Sequence, residues 1–167
     1  MAISPIHDPV DSVPLDTREI LRLLESVPLL GDLATSERAV LAELGQVVRC
    51  NGGVQLVGVG EEVHWWYLVL NGRVHISLRA PDGTLPLVRE IVAGQSVGLD
   101  SVLTGLPSAT QVMSAMVCSF VRWSVADLQR LLRGHGPVAL QLQATLHEEL
   151  GRDLRAATVA MAELISQ

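Results

Sequence analysis

Tyr67-Leu68-Val69-Leu70-Asn71-Gly72-Arg73-Val74-His75-Ile76-Ser77-Leu78 is the stretch on which the reading of the fold turns. Two runs rich in branched and aromatic residues flank an Asn-Gly pair. Asn and Gly both tolerate positive φ, which the tight turns of β-hairpins require. The stretch therefore predicts two strands joined by a hairpin. A second signal of the same kind, Pro81-Asp82-Gly83, follows at once and predicts a further hairpin onto the run Leu85 to Ile91.

The same texture extends outward. From Gln46 to Trp123 the chain is rich in Val, Leu and Gly, with turn residues at Asn51-Gly52-Gly53, Gly58, Gly60, Gly94 and Gly105. Val47 to Cys50, Thr110 to Met116 and Val117 to Trp123 add further runs of strand character. Short strands at this spacing predict an antiparallel β-sandwich or small barrel and argue against a parallel α/β sheet.

Helical patterns flank this region. Ile20, Leu21, Leu23 and Leu24 form an apolar stripe, with Asp16 or Thr17 as the expected N-cap. Ser36 is the expected cap of a second helix whose inner face is Val40, Leu41 and Leu44. Beyond the β region, Ser124 starts a helix with Asp127 at the capping-box position and Leu128, Leu131 and Leu132 inside. Gly134-His135-Gly136 ends it, and Pro137 opens a last, long helix. Val138, Leu142, Leu146, Leu150, Leu154, Ala157, Met161 and Leu164 recur along that helix at intervals of three or four. A stripe this long needs a partner along its length, and a second copy is the simplest one. A homodimer through this helix is therefore expected. The resulting division is an arm over 1–15, expected to be flexible, a domain over 16–136, and a dimerisation helix over 137–167.

Composition limits the function classes. Hydrophobic residues make up 49% of the 167 positions and charged ones 18%, which is incompatible with general disorder. The formal charge is −6, and the 12 basic residues are all Arg, scattered along the chain, so a phosphate-backbone partner is not expected. No apolar run approaches the ~18 residues that span a bilayer. Met1 to Val13 has no basic n-region, so the expected location is the cytoplasm, with no membrane partner. Cys50 and Cys118 read as buried small hydrophobes and not as a disulfide. His64, His75, His135 and His147 lack metal-ligand spacing, and no nucleophile motif, paired acid or phosphate loop is present. No metal is expected and the chain does not read as an enzyme.

Three segments carry a resemblance. Gly60 to Gly72, GEEVHWWYLVLNG, Pro81-Asp82-Gly83, and above all Gly94-Gln95-Ser96-Val97-Gly98-Leu99-Asp100-Ser101-Val102-Leu103-Thr104-Gly105-Leu106-Pro107-Ser108-Ala109-Thr110 resemble the cyclic nucleotide-binding domain of the catabolite activator (Crp/Fnr-type) family. The last segment is similar, without a gap, to that family's phosphate-binding cassette. The resemblance covers Asp16 to the C-terminus. It implies an α+β fold in which an antiparallel β-roll (jelly roll) of eight strands follows the N-terminal helices and precedes two C-terminal helices, the last one long.

It also implies where a ligand would sit. In the family a short helix turns its free N–H groups to the cyclic phosphate, an Arg pairs with the phosphate, and a Glu accepts the ribose hydroxyl. The cassette-equivalent residues here are Gly98, Leu99, Asp100, Ser101, Pro107, Ser108, Ala109 and Thr110. The scaffold persists, but Leu99 stands where the family has Glu and Ser108 where it has Arg. Losing one partner of a buried charge pair costs ~2–5 kcal/mol. A ribose hydroxyl buried against Leu99 adds ~1–3 kcal/mol. Ordinary cyclic AMP binding is therefore not expected. Asp100 reads as either a ligand acceptor or an acid at the start of the short helix. Ser101, Thr104 and Ser108 read as either donors to a neutral ligand or local caps. Arg73, Arg79 and Arg89, all on strands, are the candidates to replace the lost Arg.

Trp65, Trp66 and Tyr67 gather most of the aromatics, and alternation along a strand sends neighbours to opposite faces. Trp65 and Trp66 are thus candidate partner contacts, together with Leu142, Leu146, Leu150, Leu154 and Met161 on the last helix. Two readings of function remain: a regulatory or docking module with a degenerate pocket and a protein partner, or a receptor for a cyclic nucleotide or other small ligand in a modified pocket. No other cofactor is expected. A DNA-binding regulator is not, because only Ile165-Ser166-Gln167 follows the long helix. By the same resemblance, Gly98–Thr110 and Leu146–Leu154 would be the two ends of a ligand-driven switch.

Overall fold

The computed structural model describes residues 9–165. In chain order the strands are β1 (Asp11–Val13), β2 (Gln46–Cys50), β3 (Gln55–Val57), β4 (Trp65–Asn71), β5 (Arg73–Leu78), β6 (Leu87–Val92), β7 (Ser96–Val97), β8 (Thr110–Ser114) and β9 (Cys118–Ser124). The helices are α1 (Thr17–Glu25), α2 (Thr35–Leu44), α3 (Leu99–Thr104), α4 (Val125–Leu132) and α5 (Pro137–Ile165), with a 3-10 turn over Pro28–Leu30. One sheet has the order β1-β2-β9-β4-β7 and the other β3-β8-β5-β6. Every pairing is antiparallel. The expected α+β roll with flanking helices and a long last helix is what the chain forms.

The Asn71-Gly72 turn corrects the hairpin reading. β4 and β5 do not pair; β4 lies between β9 and β7, and β5 lies between β8 and β6. Gly72 is a corner at which the chain leaves one sheet for the other. Its φ is +97°, and a Cβ there would lie 2.6 Å from Cys118 Sγ and 2.7 Å from the Val117 carbonyl oxygen. The positive φ is the part that Asn-Gly encodes; which strand edges lie next to it is a tertiary matter. The Pro81-Asp82-Gly83 turn does join paired strands, since β5 and β6 are neighbours. Thr84 donates to Asp82 Oδ1 from its backbone N (2.9 Å) and its hydroxyl (2.7 Å), which holds the Asp82 carboxyl below its ordinary range.

The first sheet is buried on both faces. Trp66 and Trp123 pair across β4 and β9 and stack with centroids 4.8 Å apart. Trp123 Nε1 donates to the Leu41 carbonyl of α2 at 2.7 Å, so this face meets the helices. The other face carries Tyr67 and Phe120, edge to face at 5.4 Å, and Cys118, whose thiol reaches the Arg73 carbonyl of β5 at 3.2 Å. Cys50 and Cys118 stand opposite each other in the β2–β9 register as free thiols, and burial pushes both up from the ordinary thiol range.

Some local expectations are corrected. Asp11–Val13 is an edge strand on β2, so these three residues of the 1–15 segment belong to the sheet; residues 1–8 lie outside the described residues. Asp16 caps α1 in a full capping box with Glu19. The cap position of α2 is Ala34, not Ser36, and Glu37 accepts the Ala34 N–H at 2.8 Å. Ser124 caps α4, but Asp127 pairs with Arg130 at 3.0 Å, its short side chain turned along the helix. No helix among the described residues is long and apolar enough to cross a membrane.

Candidate functional site: a filled cassette under a long helix

β7 pairs with β4 through Tyr67–Val97 and Leu68–Ser96, and the chain then enters α3 through Gly98. Gly98 has φ +92°, and a Cβ would sit 2.9 Å from the Trp65 carbonyl oxygen, so both conformation and proximity require glycine. Leu99, Ser101 and Val102 form the buried side of α3, with Leu99 3% exposed and part of the hydrophobic core. Asp100 is exposed in the first turn. The Thr104 hydroxyl donates to the Asp100 carbonyl at 2.7 Å and accepts the Leu106 N–H at 3.2 Å, which is the capping role.

Pro107 and Ala109 are exposed, whereas Ser108 is 8% exposed between them. Ser108 is consumed locally. Its N–H donates to the Glu61 carbonyl at 2.9 Å and its carbonyl accepts the Gly60 N–H at 2.7 Å. Its hydroxyl donates to the Thr110 carbonyl at 2.8 Å and accepts the Thr110 N–H at 3.2 Å. Thr110 is half-buried at the start of β8. The eight residues expected at a cassette lie within one stretch from Gly98 to Thr110, in which Leu99 is an apolar side chain in the core and Ser108 a self-satisfied serine. Ser101 differs: its buried hydroxyl has no hydrogen-bond partner, and the residue lines a cleft of about 270 Å³ with Glu62, His64, Trp65 and Gln129.

The three candidate arginines separate. Arg73 pairs with exposed Glu90 at 3.8 Å on the outer face, beside His75, and Arg79 is exposed. Arg89 lies on the inner face. It is opposite Ile76, which is opposite buried Val112, and it is two residues from buried Ile91. Its Nη1 lies 2.7 Å from Asp153 Oδ1 of α5. Glu149, one turn before Asp153, is pushed up from the ordinary carboxylate range by burial and by the Asp153 charge, against the opposing pull of Arg152 and Arg89. Among the described residues no three His, Cys, Asp or Glu side chains are grouped as metal ligands would be.

The predicted partner contacts divide in the same way. Trp66 is fully buried against Trp123 and cannot contact a partner, because helices cover that face of the sheet. Trp65 is half-buried with the Arg122 guanidinium 3.8 Å from its ring centroid. Leu142 and Leu146 are buried within the chain, and Leu150 packs half-buried on the core. Those stripe positions are covered by the chain's own domain. Leu154 and Met161 are 61% and 58% exposed. Gln129 Nε2 donates to the Val102 carbonyl at 3.3 Å, and Gln143 Nε2 to the Leu132 carbonyl at 3.1 Å, so α3, α4 and α5 are linked in series. They frame a second cleft of about 380 Å³ lined in part by Leu103, Gln129, Gln143 and His147. Glu61 was not anticipated: it anchors the loop before β4 to Ser108 and accepts the Gly58 N–H at 2.7 Å. Asp153 was not anticipated either, although an acid three residues after Leu150 on an apolar stripe is a visible anomaly.

Comparison with known proteins places this geometry. The profile described as "Cyclic nucleotide-binding domain" matches residues 48–135, more than half of the chain. A cyclic nucleotide-binding domain from Methylobacillus flagellatus is similar with a TM-score of 0.78 and 20% identity, over 92% of this chain and 88% of that one. The sensor domain of the transcriptional regulator DNR from Pseudomonas aeruginosa is similar with a TM-score of 0.65 and 21% identity, over 83% and 93% of the two chains. The regulatory subunit of a cAMP-independent protein kinase A from Trypanosoma cruzi, bound to guanosine, is similar with a TM-score of 0.62 and 22% identity, over 79% and 50%. At such identities the likeness is one of fold. Human Rap guanine nucleotide exchange factor 6 is 29% identical over 75% of this chain, which spans 8% of that protein's length.

Proposed function

We propose that this chain, which belongs to the cyclic nucleotide-binding domain family, is a cytoplasmic, non-enzymatic regulatory domain that does not hold cyclic AMP in the usual way and acts through protein contacts. The observation that carries the reading is the state of the cassette. Leu99 is packed into the core and Ser108 spends its hydrogen bonds on Thr110, so neither position offers a charge to a phosphate or an acceptor to a ribose. Solved structures of this fold include the sensor domain of a transcriptional regulator and a kinase regulatory subunit, which supports a regulatory reading. A homodimer is part of the proposal. Leu150, Leu154, Ala157 and Met161 keep alternating spacings of four and three, and Leu154, Val159 and Met161 are each more than half exposed.

The test is a thermal-shift titration with cyclic AMP, cyclic GMP and cyclic di-GMP to millimolar concentration. No shift is expected with any of them. A saturable rise with cyclic AMP would refute the reading, because a ligand at a hundred times its Kd adds ~2.7 kcal/mol.

A second reading, a receptor for a less charged ligand, is favoured by the Ser101 hydroxyl, buried without a partner beside apolar Leu99. The guanosine-bound relative makes a nucleoside the natural candidate. Guanosine and adenosine belong in the same titration, and a shift with either would select this reading.

A further inference from the structure

We propose that Arg89 is the anion-binding group of this roll and that Asp153 of α5 occupies it as a built-in anion, latching the helix across the sheet until an anionic small molecule displaces it. Arg89 is the candidate arginine that the register turns inward. Ile76 is its neighbour across the sheet, Val112 lies one strand further on, and Ile91 is on the same face. An arginine in such a position needs a counter-charge, since a guanidinium beside apolar neighbours has lost much of its water. The counter-charge comes from 64 positions along the chain, at 2.7 Å, with both side chains about two-thirds covered.

The neighbours of this pair suit a latch. Glu149 and Asp153 stand one helical turn apart, so two carboxylates border one inward guanidinium; Glu149 is itself paired with Arg152 at 3.2 Å. The contact also sits at a mechanical boundary. α5 is buried through Leu146 and half-buried at Leu150, but Leu154 and Met161 are exposed. An ion pair at residue 153 therefore determines whether the last exposed turns lie against the roll or swing free. Displacement is a simple exchange: a phosphate or carboxylate takes the guanidinium, and the Asp153 carboxylate moves out to water. No bond is made or broken.

Such a latch lowers apparent affinity by the fraction of time that Arg89 is free. Removing it exposes the anchor. The experiment uses the full chain with Asp153→Asn, Arg89→Gln, the double variant and Asp153→Glu. Each is titrated by calorimetry with cyclic AMP, AMP and pyrophosphate, and hydrogen exchange is followed over residues 149–159. Asp153→Asn is expected to bind at least one of these anions about tenfold or more tighter than the unaltered chain. The gain is expected to vanish in the double variant. Both single neutral variants should speed exchange in α5, and Asp153→Glu should slow it again. No gain for any of the three anions in Asp153→Asn would overturn the proposal, as would a gain that survives Arg89→Gln. The outcome is separate from the cassette reading, which stands or falls on the unaltered chain with cyclic AMP.

Discussion

Replacing Leu99 by Glu and Ser108 by Arg in one chain would supply the two charged ligands that the family resemblance assigns to these positions, and the burial of both sites sets what this should do. Leu99 is 3% exposed inside the core, so Leu99→Glu alone buries a carboxylate with no partner. An uncompensated buried charge of this kind costs ~3–5 kcal/mol, reduced where the group can protonate. Ser108→Arg alone breaks the hydroxyl bonds to Thr110 and introduces a guanidinium at a site that is 8% exposed. Both single variants should melt below the unaltered chain, Leu99→Glu the lower. In the double variant cyclic AMP is expected to draw both charges to itself, the Glu to its ribose and the Arg to its phosphate. At a hundred times its Kd the ligand adds ~2.7 kcal/mol. For a chain of this size each kcal/mol is worth roughly 2–4 °C, so the double variant should rise by roughly 5–10 °C. The assay is a thermal-shift titration with circular dichroism to confirm folding. A folded double variant that ignores cyclic AMP would refute the assignment of residues 99 and 108 to the lost ligands.

The remaining predictions concern the scaffold and α5. Gly98→Ala should lower the melting temperature by several degrees, since a side chain at φ +92° costs about 1–3 kcal/mol before its 2.9 Å approach to the Trp65 carbonyl is counted, and Gly98→Ser should do no better. Leu154→Glu with Met161→Glu should convert a dimer to a monomer in analytical ultracentrifugation while leaving the melting temperature of dilute protein within a degree or two. Glu149 has a raised pKa in the folded state, through burial and then Asp153, so its contribution is greatest below the ordinary glutamate range and is lost as the pH rises through the raised value. Stability relative to a Glu149→Gln variant should therefore fall as the pH rises above the ordinary glutamate range, as read by denaturant unfolding at several pH values; a flat difference would show that the burial of Glu149 does not matter.

The roll was legible because alternating branched residues and glycine-bearing turns are local signals, and residues 98–110 could be compared as a unit because they form one uninterrupted segment. What failed was set by partners distant in sequence. Asn71-Gly72 specifies positive φ, but whether the next strand pairs with the last depends on β7 and β9 already flanking β4. β3 and β7 are three and two residues long, too short for a period-2 pattern to register. Trp66 reads as a contact residue only if one face of its strand is open, and α2 and Trp123 cover that face. The stripe on α5 is continuous in sequence, yet its first half is covered by the chain's own domain and its second half is not. Periodicity alone carries no mark at that boundary.

The two replacements in the cassette make physical sense only together. A Glu at position 99 without an Arg at 108 would leave a buried carboxylate uncompensated, and an Arg at 108 without a phosphate would be a buried cation. With Leu and Ser neither of these two positions needs a ligand: one side chain is core and the other bonds its own neighbour. The same reasoning extends to the concave face of the second sheet. Once the cassette is neutral, Arg89 is the inward charge there that still requires an anion, and Asp153 supplies it from within the chain. With Asp153 in place, Arg89 does not need a bound anion to neutralise it. On the proposal above, the exposed turns of α5 would respond to whatever competes for Arg89, and Asp153→Asn is the variant that separates this from a response at the cassette.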